Sequence, residues 1–337
     1  MDSITHIALG AVIGEVVAGK QLGRKALILG AAVQSLPDID FVLGFFHTPV
    51  EDLLVHRGIT HSFIFGILVT IGLAYAMRRW SRDAEPLSLR HWILFLGLEI
   101  LMHLTLDSMN SYGTGLFEPF SNTRVSFNVI FVADPFFTIW TFAAMIALFF
   151  KRLKEPARRR LAVITLAISA AYMSICLINK KIIDGRVQQT FATAGLHPKN
   201  YFTSPTPLNN LLWYVVAEAD SGFYIGYSSV FDSDPNIHLE FYPQNNQLLQ
   251  GVPNPDEVAL LKRFSQGYYT IEKVEETVVL NDLRFGQVAG WDTPRAKFVF
   301  YFFLEKPDMN SLVVQRGRFT GWNKKTMRSF WERIKGN

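Results

Sequence analysis

A chain of 337 residues that is 49% hydrophobic and only 18% charged, with a mean hydropathy of +0.17, falls below the roughly one quarter of charged residues usual in soluble domains and points to a membrane protein. Its net charge of +4 comes from basic residues in short connections between apolar segments, a signal of membrane topology that leaves no nucleic-acid partner expected. The single cysteine, Cys176, excludes an intramolecular disulfide and a cysteine-based zinc site.

The apolar excess is confined to the first half. The expected fold is therefore an α-helical membrane bundle over 1–180, a linker or helix extension over 181–206, and a smaller α+β soluble domain over 207–337. Apolar segments near 5–19, 26–37, 62–77, 92–107, 133–150 and 161–178 predict about six helices. A full span takes about 20 residues, so the first two are short and are expected to be tilted, re-entrant or packed inside the bundle. The start, MDSITH, lacks a basic n-region and no small-residue cleavage pattern closes the first apolar run, so no cleavable signal peptide is expected.

Lys and Arg cluster in three connections: Lys20, Arg24 and Lys25; Arg78, Arg79, Arg82 and Arg90; Lys151, Arg152, Lys154, Arg158, Arg159 and Arg160. The connections between them hold only Arg57 and Arg124. The positive-inside rule then puts the three basic loops in the cytoplasm, the N-terminus outside, and the C-terminal domain on the extracytoplasmic side of the cell (inner) membrane.

Residues 35–62, SLPDIDFVLGFFHTPVEDLLVHRGITHS, gather Asp38, Asp40, His47, Asp52, His56 and His61 between strongly apolar flanks. Ionisable groups in such surroundings are expensive unless something compensates their charge, and a bound metal does so. His6 and the His103/Asp107 pair of HLTLD add the same donor types inside apolar segments. His103 and Asp107 are four apart and share one helix face. On the charge-derived topology His6, Asp38, Asp40, His56, His61, His103 and Asp107 all fall at the outer ends of their segments, so they are taken as the ligands of one convergent site. Imidazole with carboxylate suits a divalent ion, zinc with manganese as the alternative, one or two in number.

Around these ligands, Glu99 lies one turn deeper on the His103 face, as a partner behind the ligands or a proton relay. Arg57 is the cation beside the metal, suited to a phosphate or a developing oxyanion; its plainer role is an ion pair with an aspartate. Thr60 and Ser62 are expected to cap the following helix and Asp134 the one after Pro135. Glu15, nine residues from His6, faces away from it. His47, His91, His197 and His238 lack comparable company.

In the second domain, LLWYVVAEADSGFYIGYSSVF reads as a hairpin turning near 220–222, with NIHLEFY and KFVFYFFLE as further strands. Asn254, Pro255 and Glu257 start a helix with a capping box, and Gly267 ends it. WNKKTMRSFWERIK is a basic amphipathic helix for a membrane surface or for the sheet.

THIALG, LPDID, HRGITHS and HLTLD, in that order, resemble the YdjM-like inner-membrane metal-dependent hydrolases over roughly residues 1–180, and PLNNLLWYVV with GFYIGY looks like the extra domain some members carry. The order of an early His, an Asp, further His residues and HxxxD is more loosely similar to the zinc-dependent phospholipase C and S1/P1 nuclease class. Here neither a later HxxxE nor an N-terminal Trp is present, so the residues support one or two ions rather than three. The resemblance implies a metal-dependent hydrolase whose activated water attacks an ester. A site at the headgroup level favours the lipid bilayer itself as partner and a lipid phosphoester as substrate. A metal transporter or sensor, with a C-terminal domain that binds a partner, is the alternative; a membrane metallopeptidase is disfavoured by the lack of HExxH.

Overall fold

The computed structural model describes residues 1–80, 87–151, 153–293, 295–305, 310 and 322–336, so that Arg82 and Arg152 of the basic connections lie outside the described residues. Each predicted apolar segment is helical. The helices are α1 (Ser3–Leu22), α2 (Lys25–Gln34), α3 (Pro49–Val55), α4 (Phe63–Trp80), α5 (Leu89–Ser108), α6 (Pro135–Phe150) and α7 (Glu155–Ala194). Among the described residues α1, α4, α5 and α7 are long and apolar enough to cross a membrane. A fifth span exists if α2 and the 3₁₀ segment Pro37–Phe46, bent by 49°, count as one. With 20 residues α1 outruns its apolar stretch, because the Asp2 side chain caps its start at Thr5 N and Gly23, at φ 58°, ends it. The large apolar side chains Ile67, Leu68, Ile139 and Trp140 are exposed, an arrangement suited to lipid and not to water.

The chain divides into two compact units: Met1–Phe46 with Val55–Phe127 and Val132–Ile175, and His47–Leu54 with Asn128–Phe131 and Cys176–Asn337. In the first, α1 and α2 meet backbone to backbone. A Cβ on Gly10 would fall 2.5 Å from both Gln34 Cβ and the Gly30 carbonyl, and one on Gly14 would strike the Ala26 carbonyl. Gly10 and Gly14 thus form the small-xxx-small face that lets membrane helices approach closely. The sequence reading did not use this pattern, although it is visible in LGAVIG. Its consequence is to bring His6 of α1 and Gln34 of α2 toward α5.

The second unit holds two antiparallel sheets, β1 (Tyr201–Pro205), β2 (Leu212–Glu218), β3 (Gly222–Ser229) and β4 (Leu239–Pro243) in that order, and β5 (Tyr269–Val274), β6 (Thr277–Gln287) and β7 (Phe298–Phe303). Strand β2 is buried on both faces: Trp213, Val215 and Ala217 pack with Ile183, Val187 and Phe191 of α7, and Tyr214 and Val216 pack with Leu283 and Phe298. That alternation is the strand period of two. Helix α8 (Pro255–Phe264) begins at the predicted proline, but Asn254 makes no side-chain cap bond; its amide donates to Glu257 Oε2 at 3.2 Å instead. The last helix, α9 (Lys324–Ile334), buries Phe330 and Ile334 against Leu212, which places it on the sheet of its own unit.

Candidate metal centre

Three segments of the first unit supply the centre. α2 ends at Gln34, and from Pro37 the chain continues as a ten-residue 3₁₀ helix rather than the short turn expected, carrying Asp38 and Asp40 in its first turn. A second 3₁₀ turn, Ile59–His61, holds Thr60 and His61; Ser62 then caps α4, its hydroxyl accepting from Phe65 N at 3.2 Å. His103 and Asp107 lie one turn apart on α5.

One ligand atom each from Asp38, His61, His103 and Asp107 falls within a single cluster, all lying within 4.8 Å of one another. The two Nε2 atoms of His61 and His103 are 3.1 Å apart. Asp38 Oδ1 is 3.4 Å from His61 Nε2 and 3.6 Å from His103 Nε2, and Asp107 Oδ2 is 3.3 and 3.5 Å from the same atoms. Tetrahedral ligands at zinc distances of about 2.0–2.1 Å stand about 3.3–3.4 Å from each other. Five of the six donor–donor distances therefore lie close to the edge of a coordination tetrahedron, and the residues fit a single ion.

The tautomers agree. His103 Nδ1 is 2.5 Å from the Gln34 carbonyl, which can only accept, so the proton sits on Nδ1 and Nε2 is left as a ligand. His61 Nδ1 faces Thr60 Oγ1 at 3.0 Å and Asp40 Oδ2 at 3.3 Å, with the same result. Asp107 Oδ2 is buried and makes no hydrogen bond; its ion-pair neighbour is Arg57 Nε at 3.2 Å. Unsatisfied buried acceptors are rare, and one directed among free imidazole nitrogens is what a cation would satisfy.

The other expected site residues stand around this core. Asp40 is a hub behind it, accepting from Arg57 N at 2.8 Å and Thr60 Oγ1 at 3.0 Å and facing His56 Nδ1 at 3.1 Å. His56 is half exposed and bonds Asp40, outside the cluster of four. His6 is fully buried, with Nε2 3.1 Å from Asp107 Oδ1 and its ring stacked on His103 at 3.9 Å; the Met1 amino group also contacts Asp107. Arg57, expected to face a substrate anion, is buried, with Nη1 on Asn110 Oδ1 at 2.9 Å and its guanidinium 5.1 Å from the Tyr112 ring centre. Burial draws its pKa down, and Tyr112, Asp38 and Asp40 oppose that pull. Its φ of 62° is the left-handed conformation that a bulky residue seldom adopts. Glu99 is buried beneath His103. With its amide turned so that the nitrogen faces Glu99, the Gln34 side chain donates to Glu99 Oε2 at 2.8 Å and to the Glu99 backbone carbonyl at 2.5 Å, which links Glu99 to the residue whose own carbonyl holds His103.

Sequence reasoning missed Gln34 and Asn110. The Gln34 contact to His103 is a backbone one, and no residue type announces it. Glu15 pairs with Arg158, and Asp134 caps α6, accepting from Phe136 N at 2.9 Å and Phe137 N at 3.1 Å.

Fold and site together define a multi-pass helical membrane protein with an aspartate–histidine cluster able to hold a metal ion. The chain belongs to the YdjM inner membrane protein family, which matches residues 1–183, and it is accordingly an inner-membrane protein. It is similar to the inner membrane protein YbcI of Escherichia coli (strain K12), with 34% identity over 113 residues, 34% of this chain and 63% of YbcI. It is also similar to the uncharacterized protein YfhP of Bacillus subtilis (strain 168), with 31% identity over 152 residues, 43% of this chain and 45% of YfhP. The chain thus spans less than two thirds of the length of either relative. No solved structure matches it.

Proposed function

We propose that the protein is an integral-membrane, metal-dependent hydrolase acting on an ester, a lipid or other phosphoester, at the outer membrane face. The observation that carries this is the cluster of Asp38, His61, His103 and Asp107, whose donor atoms stand 3.1–3.6 Å apart on the five edges given above. Asp38, His61, His103 and Asp107 would hold a zinc or manganese ion, which would supply Lewis acidity and a water acidified toward neutrality. Gln34, Asp40 and Thr60 keep both imidazoles in the ligating tautomer. Arg57 steadies Asp107 and sets a buried cation beside the cluster, which favours an anionic substrate group. Glu99, through Gln34, braces the contact of α2 with α5 behind His103.

The charge pattern supports an outer-face site, with the C-terminal domain extracytoplasmic in a binding or regulatory role. A metal transporter is the second reading, favoured by the Glu15–Arg158 pair and Glu99, ionisable groups at other depths of the helices. Elemental analysis of the full chain in detergent, wild type against His61→Ala and Asp107→Ala, tests the centre, and hydrolysis of phospholipid vesicles tests the chemistry. We expect about one ion per chain, lost in both variants together with hydrolysis. Folded wild type without metal would sink the reading, and metal uptake into vesicles without hydrolysis would select the transporter.

A further inference from the structure

The helices that carry the metal ligands also wall a cavity of about 430 Å³, within the size range of ligand sites. It lies wholly in the first unit, between α1, α5, α6 and α7, and its lining is apolar except for Thr105 and Ser169. On α1 the lining runs from Leu9 to Val17, and on α5 from Met109 to Leu98. At 1.5 Å per residue, the eight residue steps from Leu9 to Val17 span about 12 Å and the eleven from Leu98 to Met109 about 16.5 Å. Half of a hydrocarbon core of about 30 Å is about 15 Å. The cavity is therefore as deep as one leaflet.

Its position relative to the centre is set by the same helices. Leu9 lies three residues after His6 on one helix stripe, and Met102 and Leu106 immediately precede His103 and Asp107. One end of the cavity is thus level with the ligands, and the other lies two to three turns away along the helices. Met102, Met109 and Met173 in the lining are flexible side chains that adapt to an irregular apolar guest. The Ser169 hydroxyl, 4% exposed, has no hydrogen-bond partner, and an unpaired donor in an apolar wall is costly unless a guest supplies an acceptor.

We propose that this cavity seats one acyl chain of a membrane lipid whose headgroup end lies level with the aspartate–histidine cluster, the Ser169 hydroxyl donating to an ester carbonyl. The proposal rests on reading that cluster as acting on a lipid ester, and it names where such a substrate is held. Water cannot fill so apolar a space favourably, and in a membrane the available guest of this shape and depth is a lipid chain.

The test uses the full chain reconstituted in phosphatidylethanolamine vesicles that contain phosphatidylglycerol with a diazirine halfway along one acyl chain. After irradiation, labelled peptides are mapped. Labelling of the α1, α5 and α7 walls should exceed that of α4 by about tenfold, the ratio that about 1.4 kcal/mol of preferential seating gives. Ala170→Trp, which fills the cavity from α7, a helix that carries none of the four ligands, should lower it by a similar factor while the metal content stays that of wild type. Labels spread evenly over α4 and the cavity walls would overturn the proposal, and so would wild-type labelling of folded Ala170→Trp. If that variant does not fold, the wild-type map decides alone. Labelling needs no turnover, so a labelled cavity without hydrolysis removes the hydrolase reading and leaves the lipid site, whereas hydrolysis with even labelling does the reverse.

Discussion

Two regions of this chain gather carboxylates and histidine, and they differ in where those groups point. In the second unit a cavity of about 440 Å³ is lined by Asp232, Asp234, His238, Glu240, Asp292 and Arg333 among others. Much of its charge is answered by protein. Asp232 takes both Arg333 nitrogens, at 2.6 and 2.9 Å, and Ser229 N at 2.8 Å. Asp234 accepts from Asn236 N at 2.8 Å, and Glu240 from Tyr242 Oη at 3.1 Å. In the first unit the outward-turned nitrogens of His61 and His103 are satisfied, while their Nε2 atoms and Asp107 Oδ2 converge on one point. A cluster becomes a candidate site when its donors share a missing partner, and composition alone does not distinguish the two cases.

The sharpest way to break that contrast is to remove a donor. His61→Ala and Asp107→Ala should each lower metal affinity by more than the roughly 10–100-fold that changes to outer partners cost, as read by elemental analysis and competition with a chelator. Asp40→Asn should fall inside that range, because Asp40 faces the outward nitrogen of His61 and not the cluster. Equal losses for Asp40→Asn and His61→Ala would mean that Asp40 is itself a ligand and that the inner donors extend beyond the cluster of four.

How much of this was legible beforehand follows from what spacing can encode. The pairing of His103 with Asp107 on one face follows from four residues of separation on a helix, and the helical bundle followed by an α+β domain could be read from hydropathy and the change of period. Asp40 and His56 looked no different from Asp38 and His61, since proximity in sequence cannot say which oxygen faces inward. The Gln34 carbonyl left no trace in residue type. The close crossing of α1 and α2 was readable as Gly10-x-x-x-Gly14. Its partner Gly30 was not, because the contact depends on how two separate helices pack. Asn254 failed as a cap for a related reason: its side chain had a competing partner in Glu257.

The crossing gives the next test. Gly30→Val would push a side chain into the Gly10 backbone and to within 2.9 Å of Glu99 Oε1. Overpacking of this kind typically costs about 1–3 kcal/mol, and here neither backbone can yield. Thermal unfolding in detergent should show the loss, and metal affinity should fall with it, because α2 carries the carbonyl that orients His103. A destabilised variant with unchanged affinity would show that His103 keeps its orientation without α2.

The smallest expected effect lies in the other region. His238→Ala removes an exposed imidazole from the wall of the C-terminal cavity; substitutions of this kind usually stay within about 0.5 kcal/mol. Metal content and unfolding temperature should both match wild type. If His238→Ala instead lowered the metal content, the second unit would hold an ion as well, and satisfied carboxylates such as Asp232 would have to exchange partners to bind it. The contrast between converging and self-satisfied charge would then fail as a guide, because groups paired in the metal-free chain would have proved available to a metal.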